Sequence, residues 1–333
     1  MQRGLLKLSQ ACYISGMLQY LDFEKPVAEL ENKIAEFRQM VKDGGGINIS
    51  DEIAKLSGKV EKQLRMLYAK LTPWQKVLVA RHAQRPQALQ YFDALLTEFT
   101  PLAGDRLGYD DQAIIGGMGR LEGRPVIVIG TQRGYDTESR LKHNFGMPKP
   151  EGYRKAQRLV ELAGRFKMPI LTFVDTSGAW PGIDAEARGQ AEAIAQTVAY
   201  FLRAPVPTIA TIIGEGGSGG AVALAATNSV MMLEHAIYSV IAPEGAASIL
   251  WRDPKQASVA AEALKLTAPD LLKLKLIDRV IEEPVGGAQR RPEEAIKSVG
   301  AALHEELERL TRLEPGVLLS QRRDKFLSMG HAH

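Results

Sequence analysis

The sequence predicts an α/β protein in which an all-helical N-terminal region precedes a core of mostly parallel strands. Three segments share one design, a proline followed by an apolar strand and a glycine-containing loop, at residues 125–130, 169–175 and 207–214. About 40 residues separate each segment from the next, which is room for a strand, a helix and their connections. Repeated units of this kind stack into a parallel sheet with right-handed crossovers.

The N-terminal region, residues 17–100, is predicted to be helical throughout. Its first helix follows Pro26, and the apolar stripe recurs at alternating steps of three and four in Val27, Leu30, Ile34, Phe37 and Val41. Glycines at 44–46 break this helix, and a second stripe from Ile53 to Leu71 predicts a helical hairpin. Thr72 to Gln75 is typical of a capping box, and two short helices are expected to run to about residue 96. We expect this region to stabilise the protein or to form an interface.

We place the core at residues 101–290 and a set of C-terminal helices at 291–333. Strands are expected at 113–118 and 125–130, paired around a turn at 121–124, and at 169–175, 207–214, 229–233 and 237–241. Helices are expected at 152–166, 184–202, 244–251, 255–266 and 292–313, with a loop at 131–150. Residues 1–16 form a separate extension if Met17 is the start of translation.

The composition excludes several classes of protein. Of the 333 residues, 45% are apolar and 24% are charged, as in ordinary globular proteins. The net charge of +3 does not imply nucleic acid, and the longest apolar runs are far too short to span a membrane. The single cysteine, Cys12, excludes a disulfide framework and any cysteine-based zinc site within this chain. It fits a reducing compartment, so we expect a cytoplasmic protein.

The most informative feature is residues 208–220, where an apolar, β-branched run ends in five glycines within seven residues. The run predicts a strand buried on both faces, and the small residues from Ala221 to Ala226 predict the start of a helix. Glycines between them let the backbone approach a bound molecule closely, with N–H groups available at a helix N-terminus. Such a turn can hold negative charge on an oxygen without any charged side chain.

Three other interpretations of this turn remain open on these residues alone. A G-x-G-x-x-G pattern starting at Gly214 matches the dinucleotide-binding fingerprint, with Glu234 as a ribose partner, although the turn lies late in the chain. A G-x-S-x-G pattern centred on Ser218 matches the nucleophile elbow of serine hydrolases. The candidate triad partners are His235, His304 and Asp278. In the third interpretation the glycines only allow a helix to pack closely on a strand.

A second small-residue loop, residues 175–182, follows the preceding buried strand. Loops at the carboxyl ends of neighbouring parallel strands gather on one side of a sheet, so these two loops are expected to form a narrow slot. Asp175 is expected to fix its loop as a hydrogen-bond acceptor, and Trp180 either stacks on a flat ligand group or packs in the core. Residues 133–167 carry a local charge of +5, which either steers an anionic partner or forms a solvated face.

Together these motifs resemble the carboxyltransferase α subunit of bacterial-type acetyl-coenzyme A carboxylase. Further motifs that carry the resemblance lie at residues 21–24, 103–106, 144–148, 150–155, 166–169, 239–245 and 285–288. Because so many motifs occur in one order, the resemblance is far more specific than the glycine turn alone. It implies a crotonase-like superhelix of strand–strand–helix repeats behind the N-terminal helices.

The resemblance also implies a reaction and partners. The family transfers a carboxyl group from carboxybiotin on the biotin carboxyl carrier protein to acetyl-CoA, giving malonyl-CoA for fatty acid biosynthesis. A β subunit with a four-cysteine zinc ribbon is expected in an α2β2 heterotetramer, with biotin carboxylase as a further partner. The resemblance covers only the α half, which presents the biotin side, and it implies no covalently bound cofactor and no metal in this chain.

Carried over to this sequence, the family's oxyanion-binding pair of amides falls on Gly219 and Gly220. The other substrate-binding residues implied by the resemblance are Gly216, Gly217 and Ser218 in the turn and Gly178 and Ala179 in the second loop. The reaction needs fixed hydrogen-bond donors more than a side-chain base, because negative charge develops on the biotin ureido oxygen and the ureido nitrogen takes the proton. Relatives often have proline and tyrosine where this chain has Ser177 and Trp180, which bears on the shape of the slot.

Two rival functions stand beside this one. A free-standing crotonase-type hydratase or hydrolase would act on an acyl-CoA without biotin or a second subunit, and it would place a carboxylate such as Glu215 at the reacting carbon. A non-catalytic scaffold would use the helical region and the basic segment only to recruit partners.

Overall fold

The computed structural model describes residues 18–42 and 50–330. Cys12, Met17 and the glycine break at 44–46 lie outside the described residues. The strands are β1 (Leu96–Pro101), β2 (Ile114–Leu121), β3 (Arg124–Thr131), β4 (Ile170–Thr176), β5 (Thr208–Gly217), β6 (Ser229–Leu233), β7 (Ile237–Ser239) and β8 (Arg279–Ile281). The α-helices are α1 (Lys25–Lys42), α2 (Ser50–Tyr68), α3 (Pro73–Ala80), α4 (Ala88–Leu95), α5 (Thr137–Lys142), α6 (Pro150–Phe166), α7 (Ile183–Ala187), α8 (Gln190–Arg203), α9 (Ser218–Ala225), α10 (Pro243–Trp251), α11 (Ala257–Ala263), α12 (Ala268–Lys273), α13 (Pro292–Thr311) and α14 (Pro315–Ser328).

The described part of the chain forms one eight-stranded sheet. Its order is β1-β2-β3-β4-β5-β6-β8, and β7 pairs with the end of β5. The first three strands are antiparallel neighbours, whereas β3, β4, β5, β6 and β8 run parallel, and so does β7 beside β5. Every residue of β4 and β5 is buried, as expected for parallel strands covered on both faces. The predicted α/β class with a mostly parallel core is confirmed.

Helices cover both faces of the sheet. Gly130 and its register partner Ile115 lie on one face, where a Cβ at residue 130 would touch Ala88 of α4. The neighbouring Gly116 therefore lies on the other face, where a Cβ would touch Leu159 of α6. One continuous apolar cluster runs through these layers and includes the inner side of α13.

The N-terminal hairpin of α1 and α2 has its own small apolar cluster, as the two sequence stripes predicted. Its buried members are Val27, Ile34, Leu56, Val60, Leu64, Tyr68 and Val79. A polar network joins the hairpin to the loop before α13. Glu24, 1% exposed, accepts hydrogen bonds from Tyr68 Oη at 3.0 Å and Arg290 Nε at 3.3 Å. The capping box predicted at the start of α3 is confirmed, because Thr72 and Gln75 exchange side-chain bonds with each other's amides.

Several elements differ from the sequence predictions. The helical region ends earlier than residue 100, because Leu96–Pro101 pairs with β2 as the first strand of the sheet. The helix predicted at 184–202 is broken into α7 and α8, since Gly189 adopts a left-handed φ of 82°. The predicted loop at 131–150 contains α5, and β8 and α12 were not predicted, whereas α14 lies within the C-terminal helices expected at 291–333. Each of the three unpredicted elements is short.

Candidate active site

The glycine turn joins β5 to α9 in the way that the sequence predicted. β5 continues through Gly217, and α9 starts at Ser218, which adopts a left-handed φ of 54°. The first amides of a helix have no acceptor within the helix itself, and no side chain caps α9 at Gly217. Ser218 and Gly219 are half-buried and Gly220 is buried. The turn therefore presents a helix N-terminus at the carboxyl end of the central strand β5.

The second loop packs directly against this turn. A Cβ at Gly217 would lie 2.3 Å from the carbonyl oxygen of Ser177, so no side chain fits at this position. A Cβ at Gly220 would lie 2.7 Å from the Ala179 amide nitrogen and 2.8 Å from the Gly178 carbonyl carbon. The structure thus brings together the two loops that the sequence analysis assigned to one slot, and it explains why these two positions are glycine.

Gly219 stands apart from the other glycines of the turn. A Cβ there would make only an ordinary contact of 3.6 Å with Ile194 Cγ2 on α8. Its φ is outside the left-handed region, so a Cβ at this position strains neither the backbone nor the packing. Gly219 is therefore the position in the turn that faces space rather than the second loop.

A network of buried charges lies beneath the turn. Asp175 Oδ1 accepts hydrogen bonds from the Glu215 amide at 2.9 Å and from Arg133 Nη1 at 3.0 Å. Arg81 donates to Glu215 Oε1 at 2.7 Å and to Glu244 Oε1 at 2.6 Å. The Asp175 carboxylate raises the pKa of Arg133. The prediction that Asp175 fixes its loop as an acceptor is confirmed, whereas the role of Arg81 was not predicted.

The same network argues against a crotonase-type hydratase or hydrolase, because such an enzyme would need a free carboxylate at Glu215. The Glu215 side chain is 4% exposed and its second oxygen, Oε2, lies 3.6 Å from Arg133 Nη2. A carboxylate held between Arg81 and Arg133 beneath the turn is committed to ion pairs. Glu215 is therefore poorly placed to act as the base of a crotonase-type hydratase.

A cavity of about 200 Å³ opens beside this network. Four arginines from two stretches of the chain line it, together with Asp175: Arg81, Arg85, Arg133 and Arg140. Three of these arginines are already paired with carboxylates. Arg81 pairs with Glu215, Arg133 pairs with Asp175, and Arg85 pairs with Glu283 at 2.5 Å. The cavity is thus close to neutral despite its four cations.

His235, His304 and Asp278, the candidate triad partners of a serine hydrolase, form contacts with residues other than Ser218. His235 Nε2 is 3.8 Å from Glu234, and its ring packs edge-on against Tyr68. His304 Nδ1 is 2.5 Å from Glu122, and Asp278 pairs with Lys325 at 2.9 Å. Glu234 also accepts a bond from the Glu283 amide at 3.3 Å. These contacts favour neither the hydrolase nor the dinucleotide interpretation of the turn.

Trp180 lies on the rim of the slot, half-exposed. Its Nε1 donates to Asp184 Oδ1 at 3.0 Å, and Lys149 Nζ lies 5.9 Å from its ring centroid. Lys149 and Arg188 also pair with Asp184, at 3.1 and 3.3 Å. Trp180 is therefore fixed at the rim and is not a core residue.

Several basic side chains of the 133–167 segment donate hydrogen bonds to main-chain carbonyl groups. Lys155 is buried and donates to the carbonyls of Asp111 and Ile114 at 2.7 and 2.8 Å. Arg158 donates to three consecutive carbonyls from Leu102 to Gly104. The local charge of +5 is therefore only partly a solvated face.

Within residues 18–42 and 50–330, no group of three or more His, Cys, Asp or Glu side chains is arranged to hold a metal ion. None of the described helices combines the length and the apolarity needed to span a bilayer.

Comparison with known proteins gives concordant matches. Residues 20–330 match the family model described as acetyl co-enzyme A carboxylase carboxyltransferase-like. The acetyl-coenzyme A carboxylase carboxyl transferase subunit alpha of Gluconacetobacter diazotrophicus is 69% identical over 314 residues, which cover 94% of this chain and 98% of that protein. The protein of the same name from Acidiphilium cryptum is 61% identical, with the same shares covered.

Solved structures of lower identity share the fold. Transcarboxylase 12S superposes with a TM-score of 0.54 at 18% identity, covering 67% of this chain and 42% of that chain. A Pseudomonas malonate decarboxylase hetero-tetramer in complex with coenzyme A gives a TM-score of 0.54 at 19% identity, covering 66% of this chain and 86% of that chain. The crotonase-like carboxyltransferase fold is confirmed.

Proposed function

This chain belongs to the family of acetyl-coenzyme A carboxylase carboxyltransferase α subunits, and we propose that it transfers the carboxyl group of carboxybiotin to acetyl-CoA. The observation that carries the proposal at the level of residues is the contact between the glycine turn and the 175–182 loop, which together leave one open position at Gly219. In this proposal the amides of Gly219 and Gly220 hold the ureido oxygen of biotin. Gly216, Gly217 and Ser218 shape the turn, and Gly178 and Ala179 line the slot.

The chemistry explains why backbone amides suffice. When the N–CO2 bond of carboxybiotin breaks, CO2 leaves and the electron pair stays on the ureido group, mostly as charge on its oxygen. The ureido nitrogen then takes a proton from the methyl group of acetyl-CoA, and the resulting enolate attacks CO2 to give malonyl-CoA. A preset amide donor that meets the developing charge stabilises such a transition state by roughly 3 kcal/mol.

The surroundings of the turn suit this role. The N-terminus of α9 carries a partial positive charge, which favours an anion at its first turn. Burial of β5 and of Gly220 keeps water away from one side of the turn, and the donors are stronger in a dry site. The ion network of Asp175, Glu215 and Arg81 ties the ends of β4 and β5 together. No titratable side chain has to supply the driving force.

The reaction develops two anions, the ureido anion and the enolate, and the glycine turn serves one of them. We therefore propose that a β subunit holds acetyl-CoA and the enolate across a shared cleft, in an α2β2 assembly. The four-cysteine zinc ribbon belongs to that partner, because this chain has one cysteine. Carboxybiotin arrives on the biotin carboxyl carrier protein after biotin carboxylase has loaded it, and we place the reaction in the cytoplasm.

Reconstitution tests the proposed function. The α chain is co-expressed with the zinc-ribbon subunit encoded in the same genome, and malonyl-CoA formation from carboxybiotin and acetyl-CoA is measured for the pair and for each chain alone. We expect the two chains to co-purify and only the pair to be active. Hydration or hydrolysis of an acyl-CoA by the α chain alone would instead establish the crotonase-type rival.

A further inference from the structure

One buried hydroxyl at the site has no partner. Tyr153 lies in the first turns of α6 and is 0% exposed. Its Oη has no hydrogen-bond partner among the described residues. A buried hydroxyl without a partner destabilises a folded protein, and phenylalanine would fill the same space without that cost.

The position of this hydroxyl is specific. A Cβ at Gly220 would lie 2.8 Å from Tyr153 Oη, 2.8 Å from the Gly178 carbonyl carbon and 2.7 Å from the Ala179 amide nitrogen. Tyr153 Oη therefore sits where the glycine turn meets the second loop. It is a buried hydroxyl without a hydrogen-bond partner at the junction of the two segments that form the slot.

The hydroxyl is a donor at any working pH. Burial raises the pKa of Tyr153, and the nearby Asp111 carboxylate raises it further. The Gly178 carbonyl oxygen accepts one bond, from Thr176 Oγ1 at 2.9 Å. A carbonyl oxygen has two lone pairs, so it has room for a second donor.

We propose that Tyr153 is a positioning residue of the slot, whose hydroxyl donates to the second lone pair of the Gly178 carbonyl when carboxybiotin binds, and so holds the packed second loop in place. The inference rests on the proposed function. The bond is absent from the resting chain and forms with the bound ligand, so it stabilises only the occupied slot. Tyr153 does not touch the reacting atoms. It fixes the second loop, whose residues Gly178 and Ala179 line the slot.

The test is Tyr153→Phe in the α subunit, assembled with its β subunit. Tyr91→Phe is the matched control, because Tyr91 is also 0% exposed with an unpartnered hydroxyl but packs against Phe173 of β4, and it is not among the nearest atoms to a Cβ at Gly220. We expect both variants to keep or slightly raise the unfolding temperature. We expect Tyr153→Phe alone to lower kcat/KM for the biotin substrate about five- to tenfold, the range of one net hydrogen bond. KM for acetyl-CoA should not change.

Two results would overturn the inference. Unchanged kcat/KM for the biotin substrate in Tyr153→Phe would show that no bond forms in the occupied slot. A clear loss of stability relative to Tyr91→Phe would show that the hydroxyl is already bonded in the resting state. If the unmodified pair forms no malonyl-CoA at all, the proposed function fails first, and this inference with it; an active unmodified pair isolates the role of Tyr153.

Discussion

The Asp175 carboxylate accepts a hydrogen bond of 2.9 Å from the main-chain amide of Glu215, where the register of the β4–β5 pair shifts. The second loop begins at Asp175, and the part of the glycine turn that we assign to the slot begins directly after Glu215, at Gly216. This single bond therefore couples the two loops of the slot through the strand ends that carry them.

Replacing Asp175 by alanine should loosen that coupling. The substitution leaves the Glu215 amide and the Arg133 guanidinium without their acceptor in a buried site, so we expect a loss of about 3 kcal/mol of unfolding free energy. Carboxyl transfer should fall at least tenfold. Urea unfolding and the malonyl-CoA assay measure the two effects. Asp175→Asn keeps an acceptor for the amide and should lose less of both; equal losses in the two variants would contradict the role of this bond.

Gly220→Ala and Gly219→Ala should differ sharply, although the chemical change is the same. A methyl group at residue 220 would overlap the 178–179 backbone, whereas one at 219 meets only Ile194 Cγ2 at 3.6 Å. We expect Gly220→Ala to cost about 1–3 kcal/mol of stability and Gly219→Ala to cost little. Thermal unfolding of both variants decides this. Similar unfolding temperatures would mean that the two loops are not in firm contact.

The buried Arg85–Glu283 pair predicts an acid dependence of stability. Burial by itself would raise the pKa of Glu283, but Arg85 and the other donors lower it from 4.5 to about 2. A depressed carboxyl pKa stabilises the folded state above the unfolded pKa, and this contribution is lost as pH falls from about 4.5 toward 2. Glu283→Gln should remove that part of the pH dependence.

At neutral pH the same variant leaves the Arg85 charge buried and unpaired, so Glu283→Gln should cost about 3–5 kcal/mol. Glu308→Gln is the control, since it breaks the part-exposed pair with Arg124 and should cost less than about 1 kcal/mol. Unfolding titrations at pH 7, 4.5 and 3 compare the two. A Glu283→Gln curve parallel to that of the unmodified protein would refute the assignment.

The parts of the fold that local pattern determines were predictable. The strand at 208–214 is apolar on both faces and ends at glycines, and the Thr72 capping box has a fixed four-residue signature, so both appear where the sequence placed them. The strand β1 was not predictable, because it depends on a tertiary partner, whereas the break in the predicted helix has a local signal in Gly189 that the helix prediction overlooked. Residues 96–101 form a strand since β2 offers its edge.

The site was predictable only where glycine spacing revealed it. The two small-residue loops follow neighbouring parallel strands, which is a local signal for one shared slot. Arg81 follows the end of α3, and Tyr153 lies on α6 within the 150–155 motif, but neither local sequence indicates a contact with the glycine turn. Their contacts with Glu215 and Gly220 depend on the three-dimensional fold.

The most direct test of the central claim is Gly219→Val in the assembled α–β complex. Valine at 219 leaves the charge of every side chain unchanged and has room for its Cβ, but its γ-methyl groups cover the amides that we propose bind the ureido oxygen. We predict that malonyl-CoA formation falls at least 100-fold while assembly and the unfolding temperature stay near those of the unmodified complex. Full activity in an intact Gly219→Val complex would contradict the claim that this turn holds the anion.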